Sequence, residues 1–581
     1  MGTSRRWYRF VDQHAGQFVP TSFRDFVLKW VPLSLLIGIA VGVMTVLFRF
    51  ALDVVAAAFN PSFVPWYLVF LLPTAGGALV GLIIPHFAKE TAGQGMDEVI
   101  HAIHYRGGQI RSIVPPVKLI VSALTISSGG SAGPEGPVGE IGAGTASLFG
   151  RLLRLRRSDA RTLVIAGAAA GFGAIFKAPL GGALFALETP YKNDLEHSAV
   201  IPALISSTVS YLVFVLVYGA APIFGGASAQ PRFDLAHLGL YLSLGLLSGV
   251  LAIVFVRAFF AISDAFSRSH LPFIAKTTLG GLACGLIAIA FPAVLGLGYF
   301  WDSSLLTANF SAVIVAGTTV TGLAVLLLAL GAILFAKIVA TSFTIGSGGS
   351  GGVLTPSLFI GGTLGAVVGL FLQFLNFPFS PPVLVLVGMG AVLAAATKTP
   401  ISSAVMLTEM TGGFAVIIPL ILATVASYAI AGEHTLYPAQ ITRQAMPLDL
   451  GALAGKRVKE VMTAPVVVFP PETSVADALQ RTDTKGHYSY PVVGPDGTIL
   501  GVVYRRGLRE AAERTPTTPV RQIMESHFEA IHEDVPAERA FDLMNELQVT
   551  RMFVTDGSKR VVGMLTQLDL MRAADEAEPS A

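Results

Sequence analysis

Uncharged apolar runs, broken by short polar or glycine-rich stretches, follow one another along this chain as far as Gln440. Residues 33–48, 68–84, 242–256 and 320–335 carry no charge and lie within uncharged spans long enough for membrane helices of roughly 17–25 residues. Others, such as residues 163–172, are too short to cross alone, and glycine and proline recur inside the apolar sequence. That mixture predicts broken and re-entrant helices, which a membrane tolerates only where protein or a water-filled cavity covers the exposed backbone. After Gln440 the apolar runs stop, and charges, short alternating segments and turns such as Pro495-Asp496-Gly497 take over. The pattern predicts an all-α polytopic membrane domain over residues 29–448, behind a polar segment 1–28. A linker at 449–456, two soluble α/β modules at 457–515 and 516–575, and a tail at 576–581 complete the expected organisation.

Both parts repeat. Lys177-Ala178-Pro179-Leu180, before an apolar helix ending near Glu188, recurs as Lys398-Thr399-Pro400-Ile401 before one ending at Glu409. Gly129-Gly130-Ser131, ahead of Pro134, recurs as Gly348-Gly349-Ser350, ahead of Pro356, at an offset of about 220 residues, the kind of internal symmetry transporters show. The halves would meet near residues 220–235. Chance likeness between glycine-rich segments is the competing explanation, weakened because two motifs recur in the same order. In the soluble part Met462 matches Met524 and Gly501 matches Gly563, each pair 62 residues apart. Helices are expected at residues 475–479 and 537–546, between short strands.

Composition agrees with a lipid environment: 53% of the 581 residues are hydrophobic and 13% charged. A net charge of +2 leaves no basic face for nucleic acid. The single cysteine, Cys284, excludes an internal disulfide and a multi-cysteine metal site, and reads as a packing residue. Arg5, Arg6 and Arg9, with the basic stretch 151–161, predict cytoplasmic placement by the positive-inside rule, and the N-terminus lacks the pattern of a cleaved signal peptide. The expected location is the cell (inner) membrane, with the N-terminus and the C-terminal modules cytoplasmic.

Three loops precede apolar helices: Gly93-Gln94-Gly95-Met96-Asp97, then Gly129 to Pro137, then Gly346 to Pro356. Helix N-termini present unpaired N–H groups and the positive end of the dipole, so several converging within a membrane make an anion site. A conducting site needs several weak contacts, and none of the loops contains Lys or Arg. A phosphate-binding reading of Gly346-Ser-Gly-Gly-Ser-Gly-Gly fails because the Gly-Lys-Ser/Thr ending is absent. Glycine used only for tight helix packing is the plain alternative. Glu135 stands at the start of one of these helices. An acid there caps the helix, but inside a membrane an ionisable side chain is by default a functional candidate. Ionised, it is a tethered anion able to sit where the permeating one belongs; protonated, it loses that competition. One group then serves as gate and proton carrier.

With these residues in view, the chain resembles the CLC family of chloride channels and chloride/proton exchangers over nearly its whole length. Gly130-Ser-Ala-Gly-Pro-Glu135-Gly-Pro looks like the family's Gly-Arg/Lys-Glu-Gly-Pro motif, Gly352-Val-Leu-Thr-Pro356 like its Gly-x-Phe-x-Pro loop, and Gly93-Gln-Gly-Met-Asp97 like its Gly-Ser-Gly-Ile-Pro loop. The resemblance implies a homodimer of inverted repeats with one anion pathway per subunit. It implies a gate at Glu135 and an anion held by Gln94, Gly95, Gly136, Val353, Leu354 and Tyr437. Four departures stand out: Pro134 replaces the basic residue of the motif, Gln94 the serine, and Leu354 the phenylalanine. Thr189 replaces the internal glutamate that hands protons to the gate in exchangers, with Glu188 just before it, and threonine carries no proton by ionising. Glu188 is either part of a proton relay or a carboxylate satisfied at a helix end. The C-terminal modules resemble a tandem CBS pair, in which Thr566 and Asp569 match a nucleotide-binding pattern for ATP, ADP or AMP. Tyr504 and Gly507 of the first module do not match it, and a purely structural or dimerising pair is the alternative.

The expected function is transport of chloride coupled to protons, with a passive voltage- or pH-gated chloride channel as the alternative and a CBS-regulated transporter of another ion as a remote one. No metal-ligand cluster or nucleophile motif points to an enzyme, and no cofactor is required.

Overall fold

The computed structural model describes residues 23–225, 230–310, 313–320, 322–442, 453–482, 489–526, 528–547, 549 and 551–575. Residues 1–22, the first half of the expected linker and the tail 576–581 lie outside the described residues. The chain divides into two compact units, 1–446 and 447–581.

The first unit is helical, and its α-helices fall into two sets of eight among the described residues. The first set is α1 (Phe23–Ala58), α2 (Leu71–Phe87), α3 (Met96–Tyr105), α4 (Val114–Ser127), α5 (Glu135–Leu152), α6 (Arg157–Ile175), α7 (Pro179–Glu188) and α8 (Val200–Tyr218). The second is α9 (Leu235–Arg268), α10 (Phe273–Ala290), α11 (Tyr299–Leu306), α12 (Leu323–Gly346), α13 (Leu354–Phe374), α14 (Pro381–Thr397), α15 (Pro400–Thr411) and α16 (Ile417–Ala431). Short helices occupy the third and seventh places of each set, too short to span a bilayer. Eight segments among the described residues are long and apolar enough to cross one. α1 begins at Phe23, ahead of the predicted residue 29, and Lys29 within it pairs with Asp159 at 2.7 Å. A small hairpin, β1 (Ile314–Val315) with β2 (Thr318–Thr319), precedes α12.

The two sets are bound by reciprocal contacts, the mark of a two-fold relation. Ser131 N–H donates to Thr344 Oγ1 and Ser350 N–H to Thr125 Oγ1, both at 3.1 Å. The Ser122 and Ser350 hydroxyls meet at 2.9 Å, as do those of Ser131 and Thr341. Gly129 and Gly348 both have φ +106°, a backbone conformation that suits glycine and lets each loop turn back on the opposite repeat. Helix crossings repeat too: a Cβ at Gly142 would lie 2.2 Å from the Gly167 carbonyl oxygen, and one at Gly361 2.2 Å from that of Gly388. α5 therefore crosses α6, and α13 crosses α14, on backbone-to-backbone contact that any side chain would prevent.

The C-terminal ends of α7 and α15 show the same reciprocity with charge. The Glu188 carboxylate accepts from Ile401 N–H (3.1 Å), Ser402 N–H (2.8 Å) and Ser402 Oγ (2.6 Å), while Glu409 accepts from Leu180 N–H (3.2 Å) and Gly181 N–H (2.6 Å). Each acid caps the N-terminus of the other's helix, satisfying orphan donors and the dipole together. Equivalent helices that run antiparallel are what an inverted repeat requires.

The second unit is α/β. β3 (Ser489–Val493) pairs antiparallel with β4 (Ile499–Tyr504); β5 (Ala530–His532) lies parallel to β6 (Arg551–Thr555), which pairs antiparallel with β7 (Val561–Thr566). Helices Val475–Thr482 and Ala537–Glu546 fall where the sequence predicts them, the first three residues longer. The modules are again reciprocal: Thr463 bridges Met564 and Glu525 bridges Val502. Val458 N–H donates to the Val535 carbonyl and Val520 N–H to that of Thr473. The repeated methionines sit on the repeated glycines, Met462 Sδ 2.4 Å from a Cβ position at Gly563 and Met524 Sδ 3.1 Å from one at Gly501.

Candidate anion gate

The glycine-rich loops meet at one point. Gly133 and Gly352 exchange backbone hydrogen bonds of 2.9 and 2.7 Å, and Gly93 N–H donates to the Gly349 carbonyl at 3.1 Å while Gly351 N–H returns to Gly93 at 3.2 Å. A Cβ at Gly136 would lie 1.9 Å from the Gln94 carbonyl oxygen and 3.1 Å from Gly352 Cα. Gly95, with φ +82°, lies against a buried ion pair, Lys118 Nζ to Glu140 Oε2 at 2.9 Å. The same ammonium reaches the Thr91 and Gly93 carbonyls, so one charge pair and its hydrogen bonds hold the first loop to α4 and α5.

Into this junction points Glu135, the first residue of α5 and buried. Its Oε1 accepts from Thr355 N–H at 2.7 Å and its Oε2 from Thr355 Oγ1 at 2.9 Å. Thr355 stands in the first turn of α13, beside the buried Val353 and Leu354. The carboxylate thus takes donors at the N-terminus of a helix of the opposite repeat, where an anion is stabilised by unpaired N–H groups and the dipole. The room it fills exists because Gly133 and Gly352 lack side chains, a Cβ there falling 2.1 and 2.6 Å from carboxyl atoms of Glu135.

The remaining predicted residues are divided. Tyr437 is buried in the segment that Gln94 grips, with Gln94 Nε2 on the Leu436 carbonyl at 2.5 Å. The amide donor expected to face an anion is engaged there, and Gln94 Oε1 is buried without a partner. Thr189 directs its hydroxyl to the Phe185 carbonyl at 2.5 Å, and with Glu188 it belongs to the helix-end junction of α7 and α15. Gln440 ties the two regions, its Nε2 reaching the Thr189 and Thr397 carbonyls at 2.8 Å each while its N–H donates to the Tyr437 carbonyl. Sequence reasoning missed three residues here: Thr355, Tyr299, whose hydroxyl lies 3.5 Å from Thr355 Oγ1, and Gln440. The one signal available for Thr355 was a hydroxyl in the third loop, which by itself names no partner; Tyr299 and Gln440 carried no local signal.

In the second unit Thr566 and Asp569 hold each other. Thr566 N–H and Oγ1 donate to Asp569 Oδ2 at 2.8 and 2.6 Å, Asp569 N–H returns to Thr566 Oγ1 at 3.2 Å, and Thr463 Oγ1 donates to Asp569 Oδ1 at 2.8 Å. This is a capping box at the start of the helix Gln567–Asp575. A nucleotide ribose reaching Asp569 has to compete with Thr463.

The model of the family described as voltage gated chloride channel matches residues 76–432. The chain belongs to the CLC family. Two CBS domain matches, at 458–514 and 520–576, follow its membrane domain. This CLC chain is 32% identical over 392 residues to a putative chloride channel protein, ClcB-like, of Ralstonia nicotianae, covering 65% of this chain and 86% of that one. It is 29% identical over 471 residues to the H(+)/Cl(-) exchange transporter ClcA of Yersinia pseudotuberculosis serotype IB, covering 76% and 92%. The crystal structure of a CLC-type fluoride/proton antiporter superposes with a TM-score of 0.63 at 24% identity, covering 73% of this chain and all of that one, which bears on the fold alone.

Proposed function

We propose that this CLC protein moves chloride across the membrane in exchange for protons, with Glu135 as the gate and the proton-carrying group. The observation that carries the reading is the Glu135 carboxylate on Thr355 N–H and Oγ1, a tethered anion held by one backbone and one hydroxyl donor at a helix N-terminus. Chloride that displaces it needs the same donors, and a proton taken up by the freed carboxylate removes its claim on them. Relatives named as exchange transporters support coupling. A passive channel is the second reading, favoured by one observation: Thr189 offers no ionisable group and Glu188 is committed to three donors, so that corner supplies no evident proton relay. The protein works, in this proposal, as a homodimer in the cell membrane with the CBS pair in the cytoplasm, where an adenine nucleotide at Thr566 and Asp569 regulates it.

Simultaneous chloride and proton fluxes from proteoliposomes under a chloride gradient test the reading. Protons driven uphill by chloride are expected, and Glu135→Gln is expected to abolish that coupling while chloride still flows. Chloride flow without proton movement in the unmodified protein makes it a channel; proton coupling that survives Glu135→Gln removes the gate assignment.

A further inference from the structure

The family motif's basic residue is missing beside the gate, yet two bases line a pocket that Pro134 also lines. A pocket of about 200 Å³ is lined by Pro134 and Tyr299 together with Arg49 and Lys177. Pro134 is the residue before Glu135, and Tyr299 reaches Thr355, which holds the Glu135 carboxylate, so the pocket adjoins the gate through these two lining residues. The two bases are its charged lining residues. Lys177 Nζ donates to the carbonyls of Tyr218 (3.2 Å) and Ala221 (3.0 Å), and its charge meets no carboxylate partner among the described residues. Arg49 is shared with Asp53, its Nε 3.1 Å from Asp53 Oδ1, with both side chains substantially exposed.

The pocket lies on one defined side of the protein. Lys29 of α1 and Asp159 of α6 are paired, so those two helices start together. Lys177 lies two residues past the end of α6, which runs about 24 Å beyond Asp159, and Arg49 stands twenty residues further along α1, about 30 Å from that pair at 1.5 Å per residue. That distance is the thickness of a bilayer's hydrocarbon core. The bases therefore line a mouth on the face opposite the basic stretch 151–161.

The repeat sharpens the point. Lys177 and Lys398 are equivalent and share a left-handed backbone, φ +51° and +59°. Lys398 is buried, with its ammonium 5.3 Å from the Tyr428 ring centre. Lys177 is only part-buried and faces the pocket. The same lysine occurs in two settings, and only one of them presents charge to the pocket.

We infer that Lys177, with Arg49, is the anion-collecting charge of the vestibule that feeds the Glu135 gate, supplying from α1 and the α6–α7 turn the positive field that Pro134 removes from the motif. This rests on the transport reading above. A charged, low-dielectric cleft raises the local concentration of counter-ions, and the effect falls with ionic strength. The test is chloride flux from proteoliposomes holding the full chain, at chloride concentrations from limiting to saturating, in low and in high sodium gluconate. Lys177→Gln is expected to raise the half-saturating chloride about three- to tenfold at low ionic strength, with the difference collapsing at high ionic strength and the saturated rate and proton coupling unchanged. Pro134→Lys in the Lys177→Gln background is expected to restore the low half-saturating value, a readout that a merely structural role for Lys177 does not give. An unchanged half-saturation in Lys177→Gln, an equal shift at both ionic strengths, or no rescue by Pro134→Lys overturns the inference. Absence of chloride flux in the unmodified protein overturns the transport reading instead.

Discussion

A single methyl group placed at Gly133 tests the gate without touching the glutamate. In the structure a Cβ there falls 2.1 and 2.3 Å from the two carboxyl oxygens of Glu135, about 1 Å short of the closest approach a Cβ makes, and its three nearest neighbours all belong to that side chain. The carboxylate is the far end of a flexible side chain, so it yields before the backbone does. A retreat of that size stretches both bonds to Thr355, at 2.7 and 2.9 Å, beyond useful hydrogen-bond length. Each is a bond to a charged group, contributing about 1.5–3 kcal/mol, so the closed position loses roughly 3–6 kcal/mol, more than a hundredfold in its population. Gly133→Ala is therefore expected to behave as a gate held open: chloride efflux from proteoliposomes at neutral pH rises and its coupling to protons falls, as in Glu135→Gln. The double variant Gly133→Ala/Glu135→Gln is expected to add nothing, because both changes act on one contact. Chloride efflux and coupling that remain at wild-type values in a well-folded Gly133→Ala protein refute the placement of the carboxylate.

Graded and opposing tests complete the set. Thr355→Val removes the hydroxyl donor and keeps the N–H, a loss of about 1.5–3 kcal/mol that is expected to give partial uncoupling, less than Gly133→Ala gives; wild-type coupling in flux assays argues against the hydroxyl's role. Glu188→Gln and Glu409→Gln each leave a helix end with one charged cap fewer and are expected to lower the detergent melting temperature alike while leaving proton coupling intact; loss of coupling in Glu188→Gln alone makes that residue a relay. Titrating ATP or AMP into the solubilised full chain is expected to give one site per chain, lost in Asp569→Ala together with about 1 kcal/mol of helix-capping stability. Undiminished nucleotide heat in that variant assigns Asp569 to the cap alone.

Much of this architecture was legible because it is written in small residues and their spacing. The recurrences at Gly129 and Gly348, and at Lys177 and Lys398, marked the repeat, and the structure shows why those residues recur: both pairs hold left-handed backbone at the seam. Met462 and Met524 likewise marked the CBS repeat because each packs on the glycine of the partner module. What sequence could not reveal is who meets whom across the two-fold. Thr355 reads as an ordinary loop threonine until α13 is set against α5, and Tyr299, 56 residues away, reaches it only through the fold. The Thr566-Gln-Leu-Asp569 pattern shows the opposite failure, since a capping box and a ribose contact select the same residue types at the same spacing.

The repeat also separates the two helix-capping acids from the proposed gate. Glu188 and Glu409 obey it, each capping the other's helix, so their positions follow from holding two antiparallel copies together. Glu135 breaks it, because its counterpart 219 residues on is Leu354. Had both copies carried an acid, each would have reached for the helix start of the other and two like charges would have met at the seam, disfavouring ionisation of both. Leu354 leaves the N-terminus of α13 with donors and no anion of its own, and Glu135 fills that vacancy from the opposite repeat. In the exchange proposed above, chloride and the carboxylate compete for that one cradle, and the competition is what lets one side chain both block the path and carry a proton.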